Sequence, residues 1–84
     1  MNSLKVYNLN QARRQLQNIT EKVVLINLEG STQYIGILVI DYIFKTLKKE
    51  FPEKIIDTII NAKNDKAAYF TALKLGYSVV EADE

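Results

Sequence analysis

The chain contains neither cysteine nor histidine among its 84 residues, and this limits the chemistry that it can perform. Disulfides, thiolate or imidazole metal sites and nucleophiles activated by histidine are excluded. Its carboxylates lack the spacing of a metal-binding loop; the ones considered are Asp57, Asp65, Glu81 and Asp83. Any catalysis would need carboxylates, lysine or tyrosine; we expect no metal, no cofactor and no enzymatic activity.

The charged residues that stand out are the adjacent pair Arg13 and Arg14. The formal net charge is only +1, so attraction to an anionic partner such as nucleic acid would have to be local. Lys48 and Lys49 form the other short basic run. Such clusters are usually solvated surface and less often a contact for an anionic partner. The elements that carry the arginines decide between these two interpretations.

A short strand and a helix are predicted to position the arginine pair. Leu4 to Tyr7 alternates apolar and polar residues, which indicates an edge strand. Asn8, with Gln11 three residues later, has the form of a capping box at the start of a helix that ends near Asn18. The apolar stripe of this helix consists of Leu9, Ala12, Leu16 and Ile19. Both arginines then face solvent.

Two further strands are expected after this helix. Lys22 to Leu28 is rich in β-branched residues, and the loop after it contains Gly30, which can adopt a positive φ. The apolar run Tyr34 to Ile40 fits a buried strand or a buried helix, but its β-branched residues and Gly36 favour a strand. A strand that is apolar on both faces needs cover on both, which predicts a homodimer joined through this sheet.

The second half has helical periodicity. A helix from Asp41 should end at Phe51, before Pro52. A further helix is predicted from the spacing of Ile55, Ile56, Ile59 and Ile60, since a strand would bury Asp57 beside two of them. The pair Asn64-Asp65 caps a last helix that runs to Leu75, with Gly76 at its C′ position and a short extended segment at Tyr77 to Val80.

The order of short strand, polar cap, x-A-R-x-x-L helix, apolar strand, glycine turn and second apolar strand resembles the Phd/YefM family of antitoxins. The resemblance covers roughly the first half of the chain. It is carried by Val6, Ala12, Arg13, Leu16, Val24 to Ile26, Gly30, Ile37 to Val39 and Tyr42. It implies an α+β fold in which residues 1–40 form a strand-helix-strand-strand unit for dimerisation and DNA binding. Residues 41–84 would be a helical C-terminal region that binds the toxin.

The function implied by this resemblance is that of an antitoxin. Such a protein neutralises a cognate toxin by covering it, and as a homodimer it binds operator DNA and represses its own operon. The candidate DNA-binding residues are Lys5, Asn8, Asn10, Arg13 and Arg14. The candidate toxin-binding residues are Ile55, Ile56, Ile59, Ile60, Phe70 and Leu73.

Two alternative functions have weaker support. The segment Asn64 to Tyr77 is similar to the last helix of GNAT acetyltransferases, which would make Ile55 to Asn61 a strand and place a helix N-terminus near the acetyl-CoA phosphate. Ser31 and Thr32 directly after a strand suggest a phosphorylated regulatory domain of the STAS type. Hairpin loops, however, use both residues routinely.

Composition agrees with one small folded domain. The sequence is 48% hydrophobic and has only three glycines and one proline, which is too apolar for a disordered chain. A chain of this length buries only about two thirds of its unfolded surface, so some apolar surface is expected to meet a partner. Neither a signal peptide nor an apolar run long enough to span a bilayer is visible, and we expect a soluble cytoplasmic protein with no membrane partner.

Overall fold

A computed structural model describes residues 2–83, in which helices and strands alternate along the chain. The elements are β1 (Asn2–Val6), α1 (Leu9–Asn18), β2 (Val23–Asn27), α2 (Ser31–Tyr34), α3 (Ile37–Glu50), β3 (Ile55–Asn61), α4 (Lys66–Lys74) and β4 (Val80–Glu81). The predicted mixture of helices and strands in one small chain is confirmed.

The four strands form one sheet in the order β1-β2-β3-β4, and every neighbouring pair is parallel. Parallel neighbours need a crossover connection, and each connection here carries helix. The three longer helices share one core with one face of the sheet. That core contains Leu4, Val6, Ala12, Leu16, Val23, Leu25, Ile40, Ile43, Phe44, Leu47, Ile60, Ala62, Ala68 and Ala72. The molecule is therefore a sheet with a single layer of helices.

The predicted start of the chain is confirmed in β1, α1 and β2. The side chain of Asn8 accepts a hydrogen bond from the Gln11 backbone N–H at 2.8 Å, and Gln11 returns the interaction to the Asn8 backbone. This capping box satisfies two N–H groups that the first turn of a helix leaves free. Ala12 and Leu16 are then fully buried against the sheet.

The predicted strand at Tyr34 to Ile40 is wrong, because this segment contains α2 and the first turn of α3. Gly36 has φ +97° and is the N-cap of α3, so it separates two helices and does not interrupt one. Ile40 continues the buried helical stripe, whereas Leu38 and Val39 are exposed. The segment is thus covered on one side only, and the argument for a dimer made through such a strand does not hold.

The predicted helix at Ile55 to Ile60 is also wrong, because these residues form β3 between β2 and β4. The objection to a strand was the burial of Asp57 beside Ile55. A register shift between β2 and β3 aligns Val23 with Ile55 and Val24 with Asp57, which moves the carboxylate to the other face. Asp57 also accepts the backbone N–H of Thr58 at 2.8 Å.

The end of the chain follows the predicted signals. Asp65 caps α4 by accepting the Ala68 N–H at 3.1 Å, and Gly76 has φ +98° just after the helix. The predicted boundary at residue 40 lies inside α3, and β3 from the second part pairs with β2 from the first. Residues 41–83 are therefore mixed in structure and share the sheet of residues 2–40. Within residues 2–83, no helix combines the length and apolarity needed to cross a membrane.

Candidate functional site

The structure places four of the five candidate DNA-binding residues around the junction of β1 and α1. Asn8 and Asn10 are exposed at the start of α1 and border a shallow groove with Arg14. Arg14 also lines a second groove beside the edge strand, together with Lys5. Because β1 is the sheet edge, this basic surface is accessible to a partner along its length.

Arg13 is separated from this surface and contacts α3. Its Nε donates to Glu50 Oε1 at 2.7 Å and its Nη2 to Glu50 Oε2 at 2.5 Å, a two-pronged ion pair. These hydrogen bonds, which Arg13 donates and Glu50 accepts, lower the pKa of the Glu50 carboxyl and raise the pKa of the Arg13 guanidinium. Arg13 thus joins two helices, and its charge is already compensated.

The candidate toxin-binding residues do not form one surface. Ile60 is fully buried in the core, and Ile55 packs against that core. Ile59 lies on the opposite face of the sheet, and Ile56 is exposed at the register shift. Phe70 and Leu73 are exposed on α4, whose Ala68 and Ala72 face the core. Ile55 and Ile60 cannot serve as contact residues, since a sheet strand replaces the predicted helix.

An exposed apolar surface on α2 and α3 was not predicted. We define the helix patch as Tyr34, Leu38, Val39 and Tyr42, all exposed. Three of these residues recur every fourth position, opposite the stripe of α3 that faces the core. This i, i+4, i+8 spacing is present in the sequence, but the patch was not predicted because Tyr34 to Ile40 was interpreted as a strand.

The sheet face that carries no helices is also apolar. Along β2, Val23, Leu25 and Asn27 face the helices, so Val24 and Ile26 point to the other side. On β3, Ile59 is paired with Ile26 and is absent from the helix-side core. We call this surface the open face, and define it by Val24, Ile26, Ile59 and Val79.

A polar cluster joins α3 to the segment before β4. The buried carboxylate of Asp41 accepts a hydrogen bond from the Tyr77 hydroxyl at 2.6 Å and forms an ion pair with Lys45 at 2.9 Å. Burial raises the pKa of the Tyr77 hydroxyl, and the hydrogen bond to Asp41 raises it further by a smaller amount. A cavity of about 140 Å³ beside the cluster is lined also by Lys48 and Thr58. The tyrosine therefore stays protonated and anchors the C-terminal segment.

Two local features bear on the alternative functions. At the start of α4, the carboxylate of Asp65 occupies the cap and that of Asp83 accepts the Asn64 N–H at 2.6 Å, so two negative charges oppose a bound phosphate. Ser31 is buried, and its hydroxyl donates to the Leu28 carbonyl at 2.6 Å. Thr32 is buried as well. Neither hydroxyl is accessible to a kinase in this fold.

One known protein is similar over most of the chain. This is "Uncharacterized protein RP547" of Rickettsia prowazekii, which is 52% identical over 73 residues, or 87% of this chain and 69% of the relative. No family model matches the sequence. No solved structure matches it either.

Proposed function

We propose that this chain, which belongs to the same family as protein RP547 of Rickettsia prowazekii, works by binding another protein and not by catalysis. The observation that carries the proposal is the helix patch, in which Tyr34, Leu38 and Tyr42 are 69%, 66% and 64% exposed. Large apolar side chains grouped on a surface mark interaction sites in soluble proteins. Leu38 and Tyr42 lie one turn apart on α3, with Tyr34 beside them at the end of α2, and such a group of side chains suits a partner with an apolar groove.

In its most specific form, the proposal is that the partner is a toxin that this chain neutralises by covering it. The support is the resemblance of β1, α1 and β2 to antitoxins, together with the exposure of Phe70 and Leu73 on the same helical layer as the patch. The second strand of the family pattern is missing, since α3 begins at Ile37. The antitoxin assignment therefore has less support than protein binding in general.

The open reading frame next to this gene provides the test. Its product, expressed alone, should arrest growth, and co-expression of this chain should restore it. The double variant Leu38→Asp/Tyr42→Asp should fail to restore growth and should weaken binding in calorimetry by at least about 100-fold, as expected for two central apolar contacts. Lys49→Asp, an exposed change on the same helix, is the matched control.

The outcomes separate the two levels of the proposal. A neighbour that is harmless but binds through the helix patch would overturn the antitoxin function and leave protein binding in place. A neutralised toxin whose binding is unaffected by the double variant would overturn the assignment of the helix patch. Far-UV circular dichroism establishes that both variants are folded.

We also propose operator DNA as a second partner, bound through the β1–α1 surface. The observation that favours it is the convergence of Lys5, Asn8, Asn10 and Arg14 on adjoining grooves at the sheet edge. Among residues 2–83, Arg14 has no carboxylate at ion-pair distance, so its charge is available to phosphate.

A further inference from the structure

The parallel sheet carries helices on one face only, which is unusual. Parallel sheets occur almost entirely with both faces covered, because their strands are apolar on both sides. Here the strands have that character: Val24 and Ile26 alternate with the core residues Val23 and Leu25. Val24 is already buried, with 7% exposure, but Ile26 and Ile59 are only half-buried and Val79 is 43% exposed. The open face is thus an apolar surface that lacks its second layer.

We propose that a second copy of this chain covers the open face, sheet against sheet, around a two-fold axis parallel to the strands. In that arrangement β1 of each copy lies over β4 of the other, and β2 lies over β3. Ile26 then meets Ile59 of the second copy at the centre. Two packed sheets keep their strands within about 30° of each other at a spacing of about 10 Å, which such side chains fill.

Charge at the two edges of the open face favours a second copy over other occupants. Leu4 and Val6 face the core, so Lys5 points to the open face at the β1 edge. Val80 packs on the core, so Glu81 points to the open face at the β4 edge. Lys5 is in the row of Ile26 and Ile59, whereas Glu81 is two residues further along, in the row of Asn61. The proposed axis therefore places Lys5 of one copy about 7 Å along the strands from Glu81 of the other, twice, an offset that these two long side chains can span. An axis perpendicular to the strands would instead place β1 over β1 and oppose like charges.

The remaining charged group on this face is Asp57, in the row of Val24. Its carboxylate already accepts the Thr58 N–H at 2.8 Å, which compensates part of its desolvation. Asp57 also lines the cavity of about 140 Å³ together with Lys45 and Lys48 of its own chain. It therefore needs no cation from the second copy.

The size of the face sets the expected affinity. Four strands about 4.8 Å apart and about five residues long, at about 3.3 Å per residue, give a face of roughly 300 Å² in each copy. Two such faces give roughly 600 Å² together, which is below the range of about 1,200 to 2,000 Å² of stable specific interfaces and fits only a weak one. We therefore expect a dissociation constant in the high micromolar range, on the order of 100 µM.

Sedimentation velocity on the full chain, from about 1 to about 500 µM, is the direct test. The wild type should pass from monomer to dimer across this range. Ile26→Lys should weaken association by at least about 100-fold, because it places an unpaired charge in the apolar centre. Leu38→Lys, on the helix patch, is the matched control and should leave association unchanged.

Charge exchange tests the direction of the axis and uses exposed residues that leave the fold intact. Lys5→Glu and Glu81→Lys should each weaken self-association by about tenfold, since each creates two like-charge contacts. The double variant should recover most of the wild-type affinity. An equimolar mixture of the two single variants should form a mixed dimer more tightly than either variant alone.

Three results would overturn the proposal. The first is a wild type that stays monomeric at the highest concentration. The second is loss of the dimer in Leu38→Lys but not in Ile26→Lys, which would place the interface on the helix patch. The third is a charge exchange that fails to restore association. Lys5 also borders the proposed DNA-binding surface. Self-association is measured without DNA or partner protein, and Ile26→Lys and Glu81→Lys lie outside that surface, so failure of the dimer is distinguishable from failure of the function proposed above.

Discussion

At the scale of single residues, burial of Asp41 requires an explanation. A carboxylate on the inner side of α3 loses hydration, which is unfavourable unless hydrogen bonds and charge compensate it. Tyr77 and Lys45 provide both, from the segment before β4 and from the next turn of α3. The bond from Tyr77 spans 36 residues and fixes the end of the chain against the central helix. The cluster is thus structural, with the tyrosine as the long-range contact.

Tyr77→Phe should destabilise the protein by about 1 to 3 kcal/mol, because it leaves one oxygen of a buried carboxylate without a donor. Urea denaturation measures the change. Tyr42→Phe changes an exposed tyrosine next to Asp41 on α3. It should alter the free energy of unfolding by no more than about 0.5 kcal/mol. Equal stabilities of the two variants would show that the Tyr77 hydroxyl contributes nothing.

The same hydroxyl predicts a pH dependence in the alkaline range. The folded-state pKa of Tyr77 is raised above the value of about 10 in the unfolded chain, so above that pH the folded state binds more protons. Its contribution is fully present below about pH 10 and is lost as the pH rises further. Stability should fall more steeply above this pH in the wild type than in Tyr77→Phe.

A third prediction at the scale of residues concerns Arg13 and Arg14. Arg14→Ala should weaken binding to the DNA upstream of the gene and reduce the slope of log K against log salt by about one for each copy bound. Arg13→Ala should have a smaller effect on DNA binding, because Glu50 already holds the Arg13 guanidinium. Electrophoretic mobility shift at several salt concentrations separates the two. Equal effects of both variants would show that the pair with Glu50 opens on DNA.

At the scale of elements, local signals predicted the structure where they were unambiguous. The capping box at Asn8 and the cap at Asp65 each lie at the start of a helix, and Gly76 at the end of one. The apolar runs were ambiguous. Gly36 suited a strand as well as a boundary between helices, and only the sheet order shows that β3 belongs between β2 and β4. A register shift has no sequence signature that would have resolved Asp57.

For the candidate site as well, the sequence predicted local properties but not contacts between distant residues. Periodicity correctly placed Arg14 on an exposed surface, because exposure on an amphipathic helix is a local property. It could not separate Arg13 from Arg14, since Glu50 lies 37 residues away in the sequence. It also could not assign Ile60 to the core, because that burial depends on pairing between distant strands.

The register shift in β3 predicts different roles for two isoleucines, the exposed Ile56 and the buried Ile60. Ile60→Ala should cost about 2 to 5 kcal/mol, because the side chain is fully buried and its removal leaves a cavity. Ile56→Ala, at an exposed position of the same strand, should change stability by about 0.5 kcal/mol. The two variants remove the same atoms, so chemical denaturation compares burial alone. Ile56 and Ile60 would share a face in a regular strand, so similar losses at both positions would contradict the register shift that exposes Ile56.

At the scale of the whole molecule, one sheet unites the two halves of the chain. β2 is paired on both sides, with β1 from the start and β3 from the second half. The core joins residues of α1 and α3 with Ile60, Ala68 and Ala72. The second half therefore supplies part of the only described core, and a toxin-binding arm that is disordered until it meets its partner is not compatible with this arrangement.

Truncation after Phe51 should accordingly unfold the protein, and not merely abolish partner binding. The remaining chain would hold only two parallel strands, too few for independent stability, and would expose the core residues Phe44 and Leu47. Far-UV circular dichroism and amide shift dispersion in NMR measure the outcome. A chain ending after Glu81 retains β4 and is the control, expected to fold. A folded, dimeric product of the shorter truncation would show that residues 1–51 are a unit of their own.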